Sequence, residues 1–220
     1  MIELFEVSKS YGKNFVLPSV SLVLPDTGVV FLMGPNGAGK TTLLKAILDL
    51  EPHNGHATFD GKPIAKVYGE ISVVYDDSPC YSGMTGYQNI SMLCNQQHSR
   101  KEIADTADKF LPHDILRRRT RGYSYGQKKK LSIIIAFLNN SKYIFMDEVS
   151  NGLDYETMVL LREKLHEQAQ SRFLLLTGHQ FDFYNGIVDT VLLLRDGKVD
   201  TIKLSEVDPS ERNLEAIYDK

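Results

Sequence analysis

The sequence predicts an α/β fold with a mainly parallel sheet covered by helices, and three observations carry that prediction. Apolar runs of strand length at residues 71–75, 143–146, 173–177 and 188–194 are separated by helical stretches, the spacing that crossover connections between parallel strands need. A glycine-rich loop at residues 34–41 stands between a strand-like run and a helical one, the order of a phosphate site. Between about residues 86 and 121 the β pattern gives way to polar, helical sequence, which marks a small helical subdomain, about residues 86–138, within a single domain of residues 1–220.

Taken in order, residues 2–7 and 15–24 are β-rich, residues 29–33 form an apolar strand, and residues 41–50 read as a helix. QQHSRKEIADTADKF, residues 96–110, reads as a helix, and LPHDILRRRT, residues 111–120, as a break with a short helix. The stretch after Leu204 is expected to form a short surface helix. No repeat with a period of 20–50 residues and no low-complexity tract is present.

A chain of 220 residues is long enough to bury one sizeable core. A net charge of -3 gives no electrostatic case for broad nucleic-acid or membrane-surface binding, so no nucleic-acid partner is expected. Cys80 and Cys94 lack the paired spacing of zinc or redox sites and fit a reducing compartment. The first residues show no basic leader followed by an apolar run, and no stretch approaches the 18 consecutive apolar residues of a membrane span. The protein is therefore expected in the cytoplasm, and any service to a membrane runs through a partner.

Gly34, Pro35, Asn36, Gly37, Ala38, Gly39, Lys40 and Thr41 match the phosphate-loop pattern G-x-x-x-x-G-K-[ST] in full, with Thr42 following. Glycines let backbone N–H groups turn inward around phosphates, and the next helix aims its positive end at them. Lys40 is expected on the β- and γ-phosphates of the nucleotide and the Thr41 hydroxyl on Mg²⁺. Asp147 and Glu148 end a buried apolar strand, where Asp147 suits hydrated Mg²⁺ and Glu148 suits a general base. The helix after Tyr123 begins with three lysines, Lys128 to Lys130. A basic first turn opposes the helix dipole and is easier to explain if an anion docks there.

These residues resemble the nucleotide-binding domains of ABC transporters over nearly the whole chain. GPNGAGKTT looks like that family's Walker A loop, YIFMDE its Walker B strand, SYGQ its signature, NGLD its D-loop, and His179 in TGHQ its switch histidine. The resemblance implies a P-loop NTPase core of the ABC type, with an antiparallel β subdomain and the helical subdomain, that binds ATP with Mg²⁺ and hydrolyses it. It implies that Tyr11 stacks on adenine and that His179 contacts the γ-phosphate and holds water with Glu148. It implies a second nucleotide-binding domain paired head to tail, so that Ser124, Gly126 and Gln127 cap the partner's ATP and Asp154 lies at the shared interface. An integral membrane permease subunit is implied too, docked on residues 76–85 and the helical subdomain, which places the protein at the inner face of the cell membrane.

Three positions depart from the pattern, one of them Val149, which stands where a proline is usual and is expected to matter little. Tyr125 makes the signature SYGQ rather than SGGQ, and Asp76 stands where a glutamine is usual, as a further carboxylate candidate for Mg²⁺ or water. The compact chain points to export. The competing readings are a soluble ABC ATPase acting on ribosomes or DNA, which the lack of a basic tract disfavours, and a non-hydrolysing partner subunit, which Lys40, Asp147, Glu148 and His179 disfavour.

Overall fold

The structure, a computed structural model, describes residues 1–77, 79–94 and 98–219. The chain runs β1 (Ile2–Tyr11), β2 (Asn14–Leu24), β3 (Gly28–Met33), α1 (Lys40–Ile47), β4 (Asn54–Phe59), β5 (Lys62–Pro63) and β6 (Ile71–Val74). Four helices follow, α2 (Gly86–Leu93), α3 (Arg100–Ala107), α4 (His113–Leu116) and α5 (Tyr125–Leu138). The rest is β7 (Tyr143–Met146), α6 (Tyr155–Ala169), β8 (Phe173–Thr177), α7 (Phe181–Tyr184), β9 (Thr190–Arg195), β10 (Lys198–Lys203) and α8 (Leu214–Asp219).

Two sheets result, an antiparallel one in the order β2-β1-β4-β5 and a six-stranded one in the order β10-β9-β3-β8-β7-β6. Within the larger sheet β9, β3, β8, β7 and β6 are parallel, and only β10 returns antiparallel at the edge. Strands β7 and β8 are buried along their whole length, as continuous apolar runs between helical layers should be. The edge strand KVDTIK is exposed at four of its six positions; its alternating, mostly polar composition explains why no strand is predicted there. β4, NGHATF, escapes prediction for the same reason, since apolar Phe59 is its only buried residue.

The two sheets are joined through β4 and β7. Phe59 is fully buried, with its ring edge-on to Tyr143 at 5.0 Å between centroids. The Tyr143 hydroxyl donates to Asp60 at 2.8 Å, and Lys142 pairs with the same carboxylate. This seam shares one apolar cluster with Leu43, Leu44 and Ile47 of α1, so the helix after the phosphate loop is clamped between both sheets.

Helices α2, α3 and α5 start with reciprocal caps, Thr85 with Gln88, Ser99 with Glu102 and Ser124 with Gln127, each satisfying two orphan N–H groups. The helix predicted at residues 96–110 is realised as α3; Gln96 and Gln97 lie outside the described residues. The C-terminal helix is less superficial than predicted, since Leu214 and Ile217 of α8 are buried in the main core. Among the described residues no helix is long and apolar enough to cross a membrane.

Because Phe59 fills the seam, Phe59→Ala is expected to cost about 3–5 kcal/mol, read from urea unfolding of the purified chain; a loss below about 1 kcal/mol would show that the seam is not a packed core.

Candidate functional site

The phosphate loop leaves β3 at Gly34 and enters α1 at Lys40. Gly34 has φ +153°, and a Cβ there would come 2.2 Å from the Leu194 carbonyl oxygen of β9. At Gly39, φ is +102° and a Cβ would meet the Val16 carbonyl at 2.8 Å. Both glycines are therefore dictated by backbone packed against them. The Lys40 ammonium donates to the carbonyls of Gly34 at 2.7 Å and Pro35 at 3.2 Å, which holds it over the loop. The Ala38 N–H closes the turn onto Pro35 at 3.2 Å. Burial pushes the Lys40 ammonium below its usual pKa, against the pull of Glu148 and Asp147.

The loop opens onto a cavity of about 420 Å³. Asn36, Gly37, Lys40, Thr41 and Thr42 line it from the loop side, and Asp76, Asp147, Glu148 and His179 from the other. Residues distant in sequence thus converge on one space.

The carboxylates are held from the neighbouring strands. The Asp147 N–H donates to the Val74 carbonyl at 2.8 Å. The Thr177 hydroxyl, at the end of β8, donates to Asp147 Oδ1 and accepts from the Glu148 N–H at 3.1 Å. Glu148 has φ +50°, a costly conformation for a non-glycine residue that persists only where the surroundings over-determine it. His179 Nε2 lies 3.2 Å from Glu148 Oε1, while Glu148 Oε2 is buried without a partner among the described residues. Burial pushes the Glu148 carboxyl above its usual pKa, Asp147 and Asp76 adding to the push and His179 and Lys40 opposing it.

The N-terminus of α5 packs on the same loops. Tyr125 does not stand out from the helix. Its hydroxyl donates to Asp76 Oδ1, and its ring lies where a Cβ on Gly152 would come within 2.4 Å. A Cβ on Gly126 would sit 2.5 Å from the Gly152 carbonyl. Lys129 Nζ reaches Asp76 Oδ1 at 3.2 Å, and Asn151 Nδ2 donates to the same oxygen at 3.5 Å. Lys130 pairs with Asp154 at 2.6 Å. Two of the three lysines therefore find carboxylates inside the chain, and the expectation that this turn awaits an external anion is corrected accordingly. Burial raises Asp76, but the bonds from Tyr125 and Lys129 outweigh it and hold the carboxyl below its usual range. Burial, with Asp76 adding to it, pushes Tyr125 up to about 12.

Tyr11, Ser124, Gly126 and Gln127 are not among the residues lining the cavity. Tyr11 is half-exposed, with its hydroxyl on Glu51 at 2.7 Å and the Lys9 ammonium 4.7 Å from its ring centre. Ser124 and Gln127 cap α5. Thr177 and Lys129 are the site residues that sequence reading misses. Thr177 looks like any strand end, and Lys129 is hidden in a run of like charges. Among the described residues no three His, Cys, Asp or Glu side chains converge as a metal cage. Thr41 with Asp147 suits Mg²⁺, which takes one or two carboxylates together with substrate phosphates, and the glycine cradle and free Glu148 oxygen suit a nucleotide and its attacking water.

The profile of the ABC transporter family matches residues 17–151, more than half of the chain. The lantibiotic transport ATP-binding protein SrtF of Streptococcus pyogenes is 28% identical over 99% of this chain and 96% of its own length. The ABC transporter ATP-binding protein NatA of Bacillus subtilis is 30% identical over 90% of this chain and 87% of its own length. A solved ATP-binding subunit of an ABC transporter shares the fold, with a TM-score of 0.85 at 24% identity over 99% of both chains. The chain belongs to the family of ABC transporter ATP-binding proteins.

Proposed function

We propose that this chain binds ATP with Mg²⁺ and hydrolyses it, and that hydrolysis drives substrate movement through separate membrane-spanning permease subunits. The observation that carries the reading is Glu148. Glu148 lines the same cavity as Lys40 and Thr41, one of its oxygens is held by His179, and the other is buried without a partner among the described residues.

The loop N–H groups and Lys40 would hold the β- and γ-phosphates. Mg²⁺, when bound, neutralises phosphate charge; Thr41 and Asp147 would hold it, with Asp76 contributing through the oxygen that Tyr125, Lys129 and Asn151 leave free. Glu148 would take the proton of the attacking water, its raised pKa making it a stronger base than an exposed carboxylate. His179 would fix that carboxylate and contact the γ-phosphate. Tyr11 would stack on adenine.

Ser124, Gly126 and Gln127 lie outside their own chain's cavity, which supports a second nucleotide-binding domain placed head to tail, with each signature capping the other's ATP and Asp154 at the seam. The permease would dock on residues 76–85, of which Ser78 lies outside the described residues, and on the helices of residues 86–138. Residues 1–220 would act as one domain at the inner face of the cell membrane. The direction proposed is export.

Two variants test the site. Lys40→Ala removes the charged donor over the loop and is expected to weaken ATP binding about 10- to 100-fold, measured by titration calorimetry. Unchanged affinity would sink the assignment. Glu148→Gln keeps the shape and removes the base, so ATP binding should survive while turnover falls about 10²- to 10⁴-fold, measured by phosphate release. Normal turnover would mean that the base lies elsewhere.

A further inference from the structure

Among the described residues Lys129 is the only charged side chain that is fully buried. It sits in the second turn of α5, and nothing in the ATP-binding role proposed above uses it. Its Nζ donates to three acceptors, the Tyr75 carbonyl at 3.1 Å, Asp76 Oδ1 at 3.2 Å and the Glu148 carbonyl at 3.4 Å. An ammonium has three N–H groups, and each here has a partner. An ion pair in such a place is a poor source of stability, since a well-packed apolar side chain of similar volume is often as good or better. What an apolar side chain could not do is bridge those three acceptors.

The three acceptors lie on two loops, and Lys129 ties both of them to α5. Tyr75 and Asp76 follow β6, Glu148 follows β7, and Lys129 belongs to α5. The Glu148 carbonyl also accepts from the Asn151 N–H at 3.1 Å, and the Glu148 N–H is fixed by Thr177. Lys129 therefore adds a tether to a residue whose backbone is held at φ +50° and which lines the cavity. Tyr125 and Asn151 complete the cluster by donating to Asp76.

We infer that Lys129 is a positioning residue for hydrolysis: it ties the backbone of Glu148 and of residues 75–76 to α5, so that the orientation of the Glu148 carboxylate depends on the seating of that helix. The inference rests on the reading of Glu148 as the base. Misplacing a reacting group by about 1 Å can cost 10²-fold in rate, so loss of the tether should act on turnover and leave ATP binding, which involves Lys40 and the loop, largely intact.

The test compares the purified wild-type chain with Lys129→Met, which fills similar volume without donors. ATP affinity by calorimetry, kcat by phosphate release and Tm are read for each. Lys129→Met should keep ATP affinity within about threefold while kcat falls about 10- to 100-fold. A Lys129→Met protein with wild-type kcat would overturn the inference, as would equal losses of affinity and kcat, which mark a merely structural role. If Lys129→Met does not fold, Lys129→Gln, which retains one donor group, is read by the same criteria. A wild-type chain that binds ATP without hydrolysing it would overturn the reading of Glu148 and this inference together, whereas normal hydrolysis in Lys129→Met would overturn this inference alone.

Discussion

The site depends on one constraint, the register of four parallel strands. Phe31 of β3 lies beside Leu176 of β8, Leu176 beside Met146 of β7, and Met146 beside Val74 of β6. These partners sit at the carboxyl ends of their strands, so the residues that follow emerge along one edge of the sheet. From there come the phosphate loop after Met33, Thr177 and then His179 after β8, Asp147 and Glu148 after β7, and Asp76 after β6. Ligands of open α/β sheets bind outside that edge. A shift of one residue in β7 would exchange its two faces and send the carboxylates the wrong way.

The register fixes where the backbone ends, and polar contacts between neighbouring strands then aim the side chains. Thr177 holds both Asp147 and the Glu148 N–H, and His179 takes one Glu148 oxygen. The remaining oxygen stays buried and unpaired, and the residue keeps a positive φ. Each feature costs free energy of order 1–3 kcal/mol, and both concentrate at the residue proposed as the general base. Strain and an orphaned acceptor at the same residue are more readily understood as preparation for a ligand than as faults of packing.

Most of this was legible in the sequence wherever chemistry and spacing coincide. The phosphate loop and the Asp147–Glu148 strand end can be read directly because each needs particular residue types beside an apolar strand, whereas His179 is singled out only by the family resemblance. The antiparallel sheet is harder to read, since β4 buries only Phe59 and its pairing with β1 is non-local. The contacts of α5 are hidden for another reason. Lys128, Lys129 and Lys130 are alike in sequence, yet Lys129 is enclosed while Lys130 reaches Asp154. Helical phase and the neighbouring loops decide which lysine turns inward, and neither is visible in a run of identical residues. The departures at Tyr125 and Asp76 likewise look independent in sequence, although the fold joins them in one hydrogen bond.

In the proposed function the site closes when ATP is bound and two signatures face each other's nucleotide. The most direct measurement is the mass in solution of the Glu148→Gln chain by light scattering, with and without Mg²⁺ and ATP. The account predicts a monomer that becomes a dimer when ATP is added. A chain that binds ATP and remains monomeric would contradict the pairing of two such chains, and one that binds no ATP would contradict the site itself.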